Sequence, residues 1–259
     1  MTLVAAAGCG GQQVLPDPSP PKPIVKPVPP TPIAKAKAKL DEQTWDPAWS
    51  AMIEKSLPRN LLTRRRAPEV RSLCPRFGRI DRTDRRVFWA YFLQALAGAE
   101  AGLKPTVAVR HTEPAVAVVD TVTRRMVRSE GLLQLTYMDS KRYGCNFDWQ
   151  KDKDLPEHDP AKTILQPKNN LLCGINILDD QLVTHHELLL SHKSYWSTLR
   201  PGTMSYRVFI KQMANVPDFC LTRRELRRRD LLHHRPLPPL TRPTPVTTAA
   251  VATAVHQAH

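Results

Sequence analysis

Glu100 stands in the segment Ala99-Glu100-Ala101-Gly102-Leu103, a single carboxylate among small and apolar residues just ahead of a glycine. If a helix stops at that glycine, the carboxyl group lies at the negative end of the helix dipole and beside apolar side chains. Both settings disfavour its ionisation. That is the direction a proton donor needs. Four more carboxylates that could share such work follow along the chain: Glu113, Asp120, Glu130 and Asp139. None has a spacing that ties it to Glu100. Glu130 is the best placed because it adjoins Gly131, although Ser129-Glu130-Gly131 is equally the capping context of a helix start.

Other reaction classes find little support. His185, His186, Glu187 and His192 are close in sequence, but His-Glu-Leu-Leu-Leu-Ser-His is two residues too long for the zinc-protease helix motif and reads as a polar loop or helix face. There is no phosphate-cradling glycine loop, no Gly-x-Ser-x-Gly elbow and no Cys-x-x-Cys pair. No metal and no cofactor is therefore expected. Beyond Cys9 the chain carries four cysteines, Cys74, Cys145, Cys173 and Cys220. An even set suits bridges formed in an oxidising compartment, and three pairings are open.

The elements that would position Glu100 are mostly helical. Asp81, Thr83 or Asp84 can cap a helix in which Val87, Phe88, Phe92, Ala95, Leu96 and Ala99 recur at helical spacing, with Gly102 as the stop. Residues 104 to 128 carry Val107, Val109, Val116, Val118, Val119 and Val122 and suggest short strands or a hairpin. Ser129 to Leu135 should open a second helix. Asn169 to Leu182 reads as another, with Leu171, Ile175, Leu178 and Leu182 on one face, and Val208 to Met213 as a further helical stretch. Residues 46 to 72, with the Arg64-Arg65-Arg66 run, read as an irregular arm entering the domain.

The two ends look unlike a packed domain. Nine of the 25 prolines fall between Pro16 and Pro32, interleaved with Lys22 and Lys26 and followed by Lys35, Lys37 and Lys39, so residues 1 to 45 read as an extended, self-repelling spacer. The first nine residues, ending in Ala-Ala-Gly-Cys, resemble the end of a bacterial lipoprotein signal in which Cys9 would carry the lipid and attach the chain to a membrane. The basic start of a secretory signal is absent. Residues 222 to 259 are Arg-rich and then Pro-, Thr- and Ala-rich, without an apolar face, and are expected to be disordered. The formal charge of +14 favours anionic partners, such as nucleic acid, membrane phosphates or an acidic wall polymer.

Taken in order, Glu100-Ala101, Gly131-Leu132-Leu133-Gln134 and Asn170 through Gly174 resemble the soluble lytic transglycosylase group over roughly residues 73 to 221. That group sets a glutamate and serine at a helix end, then Gly-Leu-Met-Gln, then an Asn-rich helix start followed by glycine. Leu73-Cys74-Pro75, Phe88-Trp89, Tyr143-Gly144-Cys145, Asn170-Leu171-Leu172-Cys173-Gly174 and Tyr195 through Arg200 are similar to a secreted, cysteine-containing branch of it. The resemblance implies a mainly α, lysozyme-like (goose-type, α+β) single catalytic domain. It also implies pairing of Cys74 with Cys220 and Cys145 with Cys173, worth up to roughly 5 and 3.5 kcal/mol by loop entropy.

The same resemblance implies an exported enzyme, periplasmic or anchored at the outer membrane, that cleaves the glycan strands of bacterial peptidoglycan. Glycosidic cleavage needs a proton on the leaving oxygen and stabilisation of an oxocarbenium-like transition state. The implied route uses Glu100 as acid and then base, with the substrate's own N-acetyl and 6-hydroxyl groups giving a 1,6-anhydro product. Gln134 is implied in the substrate groove, with Glu130, Gly131 and Asn170 around it. Tyr137, Tyr143 and Tyr195 are candidates to pack against sugar rings, whereas Trp196 fits the core. Ala101 in place of serine, and the want of a clean Ala-Tyr-Asn segment, are departures. They leave open a hydrolase of the same fold, or a catalytically weak wall-binding protein. Nucleic-acid binding through the Arg-rich tail is the remaining alternative, disfavoured by export. Oligomeric state is not legible.

Overall fold

A computed structural model describes residues 44 to 111 and 117 to 233. Cys9, the proline-rich spacer, Glu113 and the tail beyond residue 233 lie outside the described residues. What is described is a mainly helical domain built around one long helix. Its α-helices are α1 (Pro47–Ser56), α2 (Ala67–Val70), α3 (Arg82–Ala101), α4 (Asp139–Arg142), α5 (Trp149–Asp152), α6 (Pro167–Asp179), α7 (Met204–Gln212) and α8 (Arg223–His233). Two three-residue strands, β1 (Ala108–Arg110) and β2 (Arg128–Glu130), pair antiparallel with Ala108 opposite Glu130 and Arg110 opposite Arg128. Among the described residues no helix is long and apolar enough to cross a membrane.

Helix α3 forms where the spacing predicts it. The Asp81 carboxylate accepts from the Asp84 amide at 2.8 Å, satisfying one of the helix's free N–H groups, and Gly102 ends it in the left-handed conformation (φ 58°). Its apolar stripe buries Phe88, Phe92, Leu93 and Leu96 completely. Trp89 joins them, stacked edge-on with Phe77, Phe88 and Phe92, and its indole N–H donates to the Leu61 carbonyl at 2.9 Å. Helix α7 adds Phe209 against Phe92.

The region expected to be an irregular arm is part of this core. Helix α1 is capped by Asp46, carries proline in its first turn, and buries Trp49 and Ile53 against α3 and α6. Its two apolar anchors lie four residues apart, one helical turn, but too few turns follow for the period to stand out in sequence. Arg85 ties the following connection to α3: its guanidinium donates to the carbonyls of Phe77, Leu62 and Ile80 at 3.0, 2.8 and 2.5 Å. A buried cation is tolerated here because each face of the fork meets a carbonyl.

Cys74 is bonded to Cys220, tying the entry of the domain to its last turn, and Cys145 to Cys173, tying the segment after α4 to α6. The expected helix at Ser129 to Leu135 is absent. Those residues form strand β2 and a tight turn in which Gly131 has φ 80° and Gln134 φ 50°. Of the valines that suggested strands, Val118 and Val119 are exposed, so the hairpin holds by backbone pairing rather than by an apolar face. The start of the tail is also ordered differently from expectation. Residues 223 to 233 are helical, and Arg229 pairs with Asp218 and donates to the Val216 carbonyl at 2.9 Å.

Replacing Arg85 by Met should lower stability by about 3 kcal/mol, because three buried carbonyls lose their donor together. Thermal or urea unfolding of the variant checks it.

Candidate functional site

Glu100 occupies the last turn of α3, one residue before the buried Ala101, and is mostly buried. Burial in this apolar setting pushes its carboxyl up to about 6, against a smaller opposing effect from the Thr198 hydroxyl, which donates to it. Its Oε1 is buried with no hydrogen-bond partner. Thr198 thus meets the carboxyl group while Oε1 is enclosed without a partner. A carboxyl group in that state retains its proton to higher pH.

Thr198 belongs to the short turn Ser197–Leu199, and the residues before it attach this turn to the rest of the site. The Trp196 indole donates to the Leu133 carbonyl at 2.8 Å, and Trp196 is buried, as expected of a core residue. The Tyr195 hydroxyl donates to Asp139 Oδ2 at 2.7 Å, which also accepts from the Thr136 amide and hydroxyl at 2.8 and 3.1 Å. Burial raises the Asp139 carboxyl as well, although these donors oppose the shift, and its Oδ1 is buried without a partner. Two desolvated carboxyl groups therefore grip the two ends of one four-residue segment, Tyr195 to Thr198. Thr198 and Asp139 were not singled out as a pair in the sequence, because Thr198 is a hundred residues from Glu100 with no spacing to reveal the contact.

The Gly131 to Gln134 turn lies on the other side of Trp196. The Gly131 amide donates to the Val107 carbonyl at 2.8 Å. Gln134 Nε2 donates to the Gly131 carbonyl at 2.8 Å and approaches that of Val107 at 3.4 Å. Gln134 is half-buried in the left-handed region, a strained setting for a residue with a Cβ, and no protein partner is bound to its Oε1 among the described residues. Tyr143 and Tyr195 meet edge-on with ring centroids 5.8 Å apart, both half-buried. Burial raises both phenols; for Tyr195 the neighbouring Asp139 adds to the shift. These two rings, Gln134 and Glu100 are the expected residues that reach the surface around one chain of contacts.

Three expected site residues do other work. Asn170 is fully buried: its Oδ1 accepts from the Leu133 amide at 2.8 Å and its Nδ2 donates to the Glu130 and Ile164 carbonyls at 3.1 and 3.0 Å. It shapes the turn and has no surface to offer a substrate. Glu130 is buried in an ion pair with Lys162. Tyr137 is buried and donates its hydroxyl to Asp152 at 2.8 Å. Both line a separate cavity, as does Asp120, whose Oδ1 accepts from the amides of Val122 and Thr123 at 2.7 and 3.0 Å. The buried Gly131 contributes space: a Cβ there would meet Asn170 Nδ2 at 2.4 Å. Among the described residues no group of His, Cys, Asp and Glu side chains has the arrangement of a metal site.

No protein-family model and no curated protein matches the chain. Solved structures do. The wild-type protein DslA aligns with 25% identity and a TM-score of 0.50, covering 67% of this chain and 91% of that one. Two structures of DslA carrying single glutamate-to-glutamine substitutions align equally well. The shared architecture is a mainly α, lysozyme-like domain, here closed by two disulfides.

Raising a carboxyl's folded-state value above its unfolded one means that the folded state holds the extra proton. The stabilising contribution is full below about pH 4.5 and is lost as pH rises through about 6. Glu100→Gln should therefore stabilise the protein at pH 7.5 by about 1–2 kcal/mol, with little effect at pH 4. Urea unfolding at the two pH values measures it. Asn170→Ala should cost about 2–4 kcal/mol at either pH, since it strands the Leu133 amide.

Proposed function

We propose that this protein is a lysozyme-like enzyme that cleaves the β-1,4 bond between N-acetylmuramic acid and N-acetylglucosamine in peptidoglycan, with Glu100 as the proton donor. The observation that carries this reading is the desolvated Glu100 carboxyl, bare on one oxygen, at the end of the central helix of a lysozyme-like fold. Its raised affinity for the proton suits delivery to a leaving glycosidic oxygen near neutral pH. Tyr143 and Tyr195 are proposed to pack on the sugar rings, and Gln134 Oε1 to accept from an N-acetyl N–H or a hydroxyl. Thr198 positions Glu100 by holding one oxygen.

Two completions of the reaction follow. In a muramidase, water attacks the anomeric carbon. The similarity to DslA, for which two separate glutamates have been replaced by glutamine, favours this reading, because hydrolysis uses a second carboxylate. In a lytic transglycosylase the muramic 6-hydroxyl attacks instead, and Glu100 returns as base. The commitment of two of the described carboxylates favours that one: Asp120 caps a turn and Glu130 is ion-paired with Lys162. Two disulfides support an exported protein, and attachment through a lipid on Cys9 is proposed from the sequence alone.

Mass spectrometry of digested peptidoglycan separates the two completions: 1,6-anhydro-muropeptides mark the transglycosylase and reducing ends the muramidase. Glu100→Gln should lower glycan release by about 10²–10⁴-fold. Release unchanged by that substitution would sink the proposal and leave a wall-binding protein. With Glu100 as the acid, the rate should decline as pH rises above about 6, in step with loss of its proton.

A further inference from the structure

Helix α8 starts three residues after the disulfide-bonded Cys220, and a capping box fixes its first turn. Thr222 Oγ1 accepts from the Glu225 amide at 3.3 Å, and the Glu225 carboxylate accepts from the Thr222 amide and hydroxyl, both at 2.7 Å. On the inner side Leu226 is half-buried, and Arg229 fastens the helix to Val216 and Asp218, in the connection that follows α7. That anchoring is needed. Arg223 with Arg227, and Arg224 with Arg228, are like charges four residues apart, which repel, and eleven residues are too few for a helix to persist alone in water.

The outer face has no such partners. At the helical repeat Arg223, Arg227 and Leu231 form one row and Arg224 and Arg228 the next, with Leu231 between Arg227 and Arg228 in angle and one turn further on. All five are exposed, Leu231 to 71%. None of the four arginines is ion-paired among the described residues. Glu225 is committed to the cap, where Arg228 adds a weaker attraction to that of Thr222, and the exposed Asp230 offsets part of the charge at the edge of the face. Helix α7 carries the same mixture on its exposed side, with Met204 and Val208 beside Arg207 and Lys211.

This combination selects among anions. A nucleic-acid backbone or an acidic polysaccharide matches the arginines but offers the exposed aliphatic side chains nothing. A lipid surface matches both, with phosphates for the guanidinium forks and the acyl boundary just beneath for leucine. We propose that the outer face of α8 docks the domain onto an anionic lipid surface, its arginines on the headgroup phosphates and Leu231 at the acyl boundary. The proposal does not depend on the chemistry at Glu100.

Sedimentation with vesicles tests it, using the full chain with Cys9→Ser so that no acyl chain contributes. Binding is expected to vesicles of phosphatidylglycerol with phosphatidylethanolamine, and is lost at about 0.5 M salt. Arg227→Gln combined with Arg228→Gln should weaken it at least about tenfold, and Leu231→Ser about threefold to tenfold. Glutamine matches arginine in helix propensity, so unwinding does not account for the first loss. Arg64→Gln with Arg65→Gln removes the same charge from another exposed run and should change binding less than about twofold. Equal loss in that matched variant, equal binding to vesicles of phosphatidylcholine alone, or unchanged binding in the α8 variants would each overturn the proposal. So would binding to a DNA duplex that is tighter than to the vesicles at equal phosphate concentration and indifferent to Leu231→Ser, a result that assigns the face to a polyanion.

Discussion

The side chain of Asn170 makes three hydrogen bonds in a fully buried position, to the Leu133 amide and to the carbonyls of Glu130 and Ile164. Through them helix α6, strand β2 and the turn after it are held in one arrangement. Gly131 permits the contact, because any Cβ there would fall inside the Asn170 amide, and Gly174 one helical turn on lets Leu133 press against α6. An amide is suited to this junction, since it satisfies a donor and two acceptors at once without burying charge. Much else follows from where that turn is held: its Leu133 carbonyl receives Trp196, and the residues after Trp196 bring Thr198 onto Glu100.

Asn170 spends its hydrogen-bonding capacity on the frame, and Asp152 one of its two oxygens. Glu100, Asp139 and Asp152 each keep a buried oxygen with no hydrogen-bond partner, which is costly in folding. Glu100 and Asp139 are both coupled to one short segment, Tyr195 to Thr198. One short turn thus connects the Asp139 carboxyl to the Glu100 carboxyl. The two disulfides act on the chain: one joins residues 146 apart and restricts the unfolded ensemble, the other ties the chain beyond α4 to the helix that carries Asn170.

The similarity to DslA and the geometry inform different parts of the reading. At 25% identity the comparison speaks for the architecture. The raised proton affinity of Glu100 comes from this chain's own burial pattern, with Ala101 buried beside it where a serine would have offered a second hydroxyl. Thr198 supplies a hydroxyl from a distant turn instead, so the departure at position 101 is met by a donor that arrives through the fold.

Local periodicity and capping alone determined α3 with its stop at Gly102 and its start within Asp81 to Asp84, the apolar face of α6, and the placing of Glu100 at a helix terminus. These are properties of a few neighbouring residues, set by backbone geometry and solvent. The four cysteines announced two bridges but not their pairing; resemblance supplied that order. Only the tertiary structure decided that Ser129 to Leu135 is a strand and turn, since its local helix signal yields to Asn170 and to the left-handed backbone at Gly131 and Gln134. Only it separated Glu130, Tyr137 and Asn170 from the residues around Glu100, because burial and ion pairing depend on partners dozens of residues away. Thr198 shows the same limit from the other side: a single hydroxyl carries no pattern, and its meaning arises when the chain folds back on the carboxylate it serves.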